Sequence, residues 1–200
     1  MIIPTSFYLQ DNVVELAKEL LGKYLFTNIN GQLTSGMICE TEAYAGIHDK
    51  ASHAYGNRIT PRTEVMYRSG GVAYVYFCYG IHSLFNVVTN VSGIPHAILI
   101  RGIIPVDGIS IMLKRSGKSK MNSNYASGPG RVAKILGIHY SHSGMGVTGK
   151  YEKEKDAQAR IWIEDRGTEV LDSDILITPR IGVDYAEEDA ALPYRFQWSG

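Results

Sequence analysis

Cysteine is scarce in this chain: Cys39 and Cys78 are the only two in 200 residues. Both sit in apolar runs, so small buried thiols in a reducing compartment are expected rather than a disulfide framework. No C-x-x-C, H-E-x-x-H or similar cluster is present, which leaves a structural or catalytic metal without support. The sequence contains no Walker loop and no G-x-G-x-x-G fingerprint for a nucleotide cofactor, nor a G-x-S-x-G elbow for acyl-serine chemistry. Its longest apolar runs are strand-sized, so no membrane span is expected. Met1–Ile3 leads straight into Pro4 without a basic patch or an apolar stretch, so no secretory leader is expected either.

Net charge is also absent, because 20 Lys/Arg balance 20 Asp/Glu. The distribution is uneven. Residues 1–50 carry three Lys against six carboxylates, residues 51–140 ten Lys/Arg against two, and residues 141–200 seven against twelve. A basic middle between acidic ends can present a positive face to a polyanion despite overall neutrality, although dispersed surface charge would look the same in one dimension.

An apolar content of 44% with 20% charged residues is ordinary for a globular protein, and the length suits one domain with a sizeable core. Asp11–Gly22 places Val13, Val14, Leu16, Ala17, Leu20 and Leu21 on one helical face, with Asp11 as N-cap and Gly22 as the stop. Lys23–Ile29 and Leu33–Thr41 read as strands joined by Asn30-Gly31, a tight-hairpin signal. Val72–Tyr79 is β-branched and aromatic throughout and bounded by glycines, hence a strand. Its alternation points Tyr74, Tyr76 and Cys78 one way and Tyr79 the other. Leu84–Thr89 and Ala97–Arg101 follow as further strands, with Arg101 on the face of Leu99 and Ala97. Ser127-Gly-Pro-Gly130 opens a short helix ending at Gly137, with Pro129 in its first turn. Lys114–Tyr125 and Gly144–Arg160 read as polar loops, and Ile161–Glu164, Ile175–Ile177 and Tyr194–Trp198 as closing strands. One α+β domain accounts for this order.

The stretch CETEAYAGIHDKASH, Cys39–His53, stands apart. It ends a strand with Glu40 and Glu42, residue types that strands disfavour, and adds Tyr44, Gly46 and His53. If the alternation holds, Ile38, Glu40, Glu42 and Tyr44 share one face, with Glu42 beside Tyr44 at the strand's exit. Carboxylate chemistry in an aromatic-lined site is one reading; a solvated edge strand with a surface loop is the other.

The ETEAY run, His53 nine residues beyond Tyr44, R-x-T-P-R at Arg58–Arg62, and YVYFCYG followed by Asn86 occur in that order. ILIRG around Arg101, SGPG with its basic helix, and PRIGVDYA then PYRF complete the set. Together they closely resemble the alkyladenine (3-methyladenine) DNA glycosylase family, from Leu20 to Phe196. The resemblance implies a mixed α+β fold, a single domain (residues 1–200) built on a curved antiparallel sheet with surrounding helices. It implies a hydrolase of base excision repair acting on duplex DNA with damaged purines: 3-methyladenine, 7-methylguanine, hypoxanthine or ethenoadenine.

By the same resemblance Glu42 matches the carboxylate that deprotonates water, and Arg101 the arginine that helps hold that water. Tyr44 matches one face of the slot for an extruded base, and His53 with Tyr76 the other. Asn86 matches the residue that crowds the amino group of normal guanine, and Tyr79 the side chain pushed into the duplex. Glu40 matches no catalytic position. Phosphate contacts are expected from Arg58, Thr60, Arg62, Ser127, Gly128, Arg131 and Lys134, with solvated charge the alternative for the cations. Neither cofactor nor metal is expected, nor a membrane, and the chain is expected to act as a monomer. No lysine falls among the matched positions, so a glycosylase without Schiff-base lyase activity is expected. A bacterial source would place it in the cytoplasm with the nucleoid, a eukaryotic one in the nucleus. A non-catalytic lesion binder and a hydrolase of free nucleosides remain the competing functions.

Overall fold

The computed structural model describes residues 1–78, 80–122, 125–148 and 158–199. Eight strands form one curled antiparallel sheet with short helices packed around it, an α+β fold as expected. In chain order the elements are α1 (Thr5–Tyr8), α2 (Val13–Glu19), β1 (Tyr24–Ile29), β2 (Gln32–Tyr44), β3 (Val72–Cys78), β4 (His82–Thr89), β5 (His96–Asp107), α3 (Ile109–Ser116), α4 (Pro129–Leu136), β6 (Ala159–Glu164), β7 (Ile175–Thr178) and β8 (Arg195–Trp198). The main path runs β3-β4-β5-β2-β1-β6. On the side of β2 away from β5, its first half pairs with β1 and its second half with β8, which in turn pairs with β7.

The β1–β2 hairpin forms because Asn30 and Gly31 both take positive φ, 53° and 75°, the two left-handed positions of a tight turn matched to strand twist. Strand β2 continues to Tyr44, past the predicted end at Thr41, so the acidic stretch lies within the sheet. One sheet face packs on α2, α3 and α4. Leu16, Leu20, Leu25, Ile38, Phe85, Ile98, Ile100, Met112, Val132 and Leu136 form a continuous core there. Each fully buried aliphatic side chain adds roughly 1.5–3 kcal/mol to that face. The opposite face carries a smaller cluster of Met66, Tyr74, Val88 and Ala97, with Tyr67 and Tyr76 against it.

Strand β5 likewise runs past its predicted end, to Asp107, and other expectations change too. The N-cap of α2 is Asn12, whose Oδ1 accepts from the amides of Val14 and Glu15, so Asp11 lies one residue outside. The start of the predicted polar loop at Lys114 is the end of α3, an eight-residue helix that the basic, Ser-rich sequence after it obscured. The cysteines are partly exposed rather than buried; Cys39 sits at a strand irregularity and Cys78 at the end of β3. Ile38 does not share a face with Glu40, for a reason that shapes the site.

Candidate active site

The pairing of β2 with β5 shifts once near the start of β2, between Ser35 and Gly36, and again in the middle, where each strand skips a residue. Ile38 faces Ile103, Glu40 faces Gly102 and Thr41 faces Ile100, leaving Cys39 and Arg101 without partners. Bulges of this kind re-aim side chains. On β2 the shift sends Ile38, Thr41 and Ala43 to the main core and Glu40, Glu42 and Tyr44 to the other face. On β5 it changes the core-facing series from Ile98 and Ile100 to Ile103, while Ala97, Leu99 and Arg101 stay together on the Glu42 side. Gly102 makes the approach possible: a Cβ there would lie 2.9 Å from Glu40 Cβ and 3.3 Å from Cys39 Sγ.

Glu42 has no exposed surface. Its Oε1 accepts from the Ile181 amide at 2.8 Å and lies 3.4 Å from Arg101 Nε; its Oε2 accepts from the Tyr44 hydroxyl at 2.8 Å. Burial pushes the Glu42 carboxyl above its ordinary range. Arg101, the Ile181 amide and the Tyr44 hydroxyl oppose that push, and Glu40 adds to it. Glu40 Oε1 takes Arg101 Nε at 3.0 Å and Arg195 Nε at 2.7 Å. Arg101 therefore lies between two carboxylates instead of reaching water. Its pairing with Glu40 prevents Glu42 from neutralising it alone.

Next to Glu42 is a cavity of about 300 Å³. Arg101, Tyr44, Ile181 and Leu99 line it, and each also touches or pairs with Glu42. One wall is a ring cluster: His53 meets Tyr76 edge-to-face at 4.6 Å, and Tyr76 lies 5.6 Å from Tyr74. His53 Nδ1 is 2.8 Å from the Tyr74 hydroxyl. Burial, with Arg62 and Arg58 nearby, lowers the His53 pKa to about 4, so its ring is uncharged at neutral pH. Asn86 forms another part of the wall, its amide held by a 3.1 Å bond from Nδ2 to the Tyr74 carbonyl. A larger groove of about 890 Å³ lies among the N-terminal segment, α2 and residues 165–175. It presents mixed charges and no convergent set of this kind, so size does not select the site; the buried carboxylate does.

A family model described as methylpurine-DNA glycosylase matches residues 6–200. The chain belongs to the methylpurine-DNA glycosylase family. Relatives provisionally named 3-methyladenine DNA glycosylase match nearly the whole chain. One from Chlamydia felis is 46% identical, covering 98% of this chain and 95% of its own. One from Bacillus cereus is 42% identical over 100% and 97%, and one from Clostridium acetobutylicum 41% over 98% and 93%. The family predicted from the motifs is therefore the family found.

Of the expected site residues, Arg101, Tyr44, His53, Tyr76 and Asn86 line this one cavity, and Glu42 is buried against Tyr44 and Arg101. Tyr79, the expected wedge, lies outside the described residues. Arg58, Arg62, Ser127, Arg131 and Lys134 are exposed, and Gly128 caps α4, whose Pro129 and Gly130 reach the cavity rim. Thr60 instead commits its hydroxyl to Thr63 in a reciprocal turn contact. Two polar residues given no role from the sequence prove central: Arg180, whose guanidinium sits 4.9 Å from the Tyr44 ring, and Asp49, its ion-pair partner. Arg180 lies in the PRIGVDYA motif and Asp49 in the acidic stretch, yet 131 residues separate them.

Proposed function

We propose that the chain excises damaged purines from duplex DNA by hydrolysing the N-glycosidic bond with water activated by Glu42. The product is an abasic site with the backbone intact. The observation that carries this reading is a fully buried carboxylate, held by Arg101 and two hydrogen-bond donors, directly beneath an aromatic cavity of about 300 Å³. That volume is at the small end for ligand sites and suits a single base.

A base stacked in a duplex is out of reach of any side chain, so the nucleotide must be extruded. Unstacking costs a few kcal/mol, least for damaged or mispaired bases. Tyr44, Tyr76 and the uncharged His53 return stacking energy of about 1–3 kcal/mol per base. An N-alkylated purine is cationic and gains further attraction over these ring faces, with no imidazolium beside it to repel it. Asn86, held by its bond to the Tyr74 carbonyl, would present a fixed obstacle to a guanine amino group. Tyr79, next to Gly80, is the candidate to fill the vacated space in the duplex.

Breaking the bond builds positive charge on the sugar. An ionised Glu42 serves both needs: it takes a proton from water and stabilises that charge. Among the described residues Oε2 accepts from the Tyr44 hydroxyl alone, which leaves a lone pair for water, and the upward push of burial makes the carboxylate a better base. Arg101, held in place by Glu40, would keep Glu42 ionised and orient the water. No lysine lines the cavity among the described residues, and the Met1 amine is bonded to the Asp165 carbonyl elsewhere, which supports excision without lyase chemistry.

The test is excision from duplexes carrying 3-methyladenine, 7-methylguanine, hypoxanthine or ethenoadenine. Glu42→Gln should abolish turnover. Glu40→Gln should keep most of it, because the amide oxygen can still accept from Arg101. Activity on free nucleosides but not on DNA, or lesion binding without turnover, would refute the reading. A covalent enzyme–DNA adduct trapped by borohydride would refute the non-lyase part alone.

A further inference from the structure

Residues 179–182, which deliver the Ile181 amide to Glu42, have no regular structure; beyond them Val183 and Ala186 are buried with Ala51, and the Lys50 amide donates to Asp189. Ile181 is half exposed, and Gly182 follows with φ 76°. The anchor nearest to Ile181 is the residue before. The Arg180 side chain is fully buried and forks onto Asp49, with Nη1 2.6 Å from Oδ2 and Nη2 2.8 Å from Oδ1. The same nitrogens donate to the Ala43 carbonyl at 2.9 Å and the Asp189 carbonyl at 3.2 Å. Asp49 in turn accepts from the amides of Ala45 at 2.9 Å and Ala51 at 3.0 Å. One ion pair thus joins the end of β2, the 45–51 turn and the 180–191 segment.

Both donors to the Glu42 carboxylate hang from this pair. Ile181 is one peptide unit from Arg180, and the Tyr44 ring, which lines the cavity, lies 4.9 Å from the guanidinium, which does not. Buried ion pairs are weak stability devices; a planar guanidinium fork excels at fixing geometry. We propose that the Arg180–Asp49 pair is a positioning device for the reaction, holding the Ile181 amide on Glu42 Oε1 and the Tyr44 hydroxyl on Oε2. This rests on the assignment of Glu42 as the base.

The pair can be loosened from either side. Asp49→Asn removes the charge but keeps one oxygen acceptor, and Arg180→Lys keeps the charge but loses the fork. Single-turnover excision of hypoxanthine would be followed from pH 5 to pH 9, beside binding to a duplex with a tetrahydrofuran abasic analogue. Losing a donor that favours ionised Glu42 should move the acid limb up by about one pH unit and slow excision about tenfold at pH values below the limb. Affinity for the abasic analogue should stay within about threefold, and Arg180→Lys should fall between wild type and Asp49→Asn. If Asp49→Asn does not fold, Arg180→Lys alone decides, by the position of its acid limb. An unshifted limb with a lowered melting temperature would make the pair merely structural and overturn the proposal. Residual turnover in Glu42→Gln would instead remove the base assignment, a separate outcome.

Discussion

Tyr44 is expected to serve Glu42 through its hydroxyl and the extruded base through its ring, and Tyr44→Phe separates the two. The substitution keeps the ring and deletes one 2.8 Å bond to Glu42 Oε2. A hydrogen bond to a charged group in a buried site contributes about 1.5–3 kcal/mol, and each pKa unit corresponds to about 1.4 kcal/mol. The bond favours the ionised form, so its loss should raise the pH at which Glu42 ionises by about one to two units. The acid limb of single-turnover excision should move up by that amount, while at pH 9 the rate recovers to near the wild-type value. Below the limb the deficit should be about tenfold to a hundredfold. His53 does not blur the measurement, because its pKa of about 4 lies below the range of the assay. A rate lowered equally at every pH, with the limb in place, would refute the reasoning and leave Tyr44 with only a stacking role.

Three further outcomes are expected. Glu42 has a folded-state pKa raised above its unfolded value, so the stability it contributes is complete below the ordinary carboxylate pKa and is lost as pH rises through the raised one. Glu42→Gln should therefore melt higher than wild type at pH 7, and the gap should close below about pH 4.5, as calorimetry would record. Gly102→Ala forces a Cβ to within 2.9 Å of Glu40 Cβ and should reduce excision more than DNA affinity, because Arg101 is next in the chain. If Arg58, Arg62, Arg131 and Lys134 each neutralise one phosphate, log affinity should fall with log salt at a slope of about −3.6, roughly 150-fold between 50 and 200 mM. Replacing any one of them by Ala should flatten that slope by about 0.9; an unchanged slope would mark the residue as ordinary surface charge.

Much of this was legible in the chain because local rules and tertiary structure agree. Asn30-Gly31 demands a hairpin, the Val72–Cys78 alternation separates pocket tyrosines from core-facing Ala73 and Val75, and the Gly137 stop follows a well-formed α4. Glu42 and Tyr44 stand out as polar and aromatic residues at a strand end, where packing alone would not put a carboxylate. Two kinds of information were hidden. Long-range pairs such as Arg180–Asp49 have no local signature, since an arginine in a loop and an aspartate in a turn both look solvated. The break in alternation between Ile38 and Glu40 was equally silent: CETE continues the pattern smoothly in one dimension, and only pairing with Gly102 reveals the skipped residue. That is also why Arg101, which as the last residue of a short strand would reach water, instead lies within a longer strand between two carboxylates.

The skipped residue at Cys39 makes the site sensitive to chain length in a way that side-chain chemistry is not. The extra residue keeps the two halves of β2 in phase. Were the strand to run as an unbroken pleat with Cys39 kept in it, Glu40, Glu42 and Tyr44 would fall on the face of Ile38, among the core aliphatics, and Thr41 and Ala43 would look into the base cavity. Deleting Cys39 itself would leave every later side chain on its present face and remove only the bend opposite Arg101, whereas deleting Thr41 would exchange the faces of Glu42 and Tyr44 and should destroy fold and activity together. Tolerance to a lost residue in β2 should therefore be confined to the bulge.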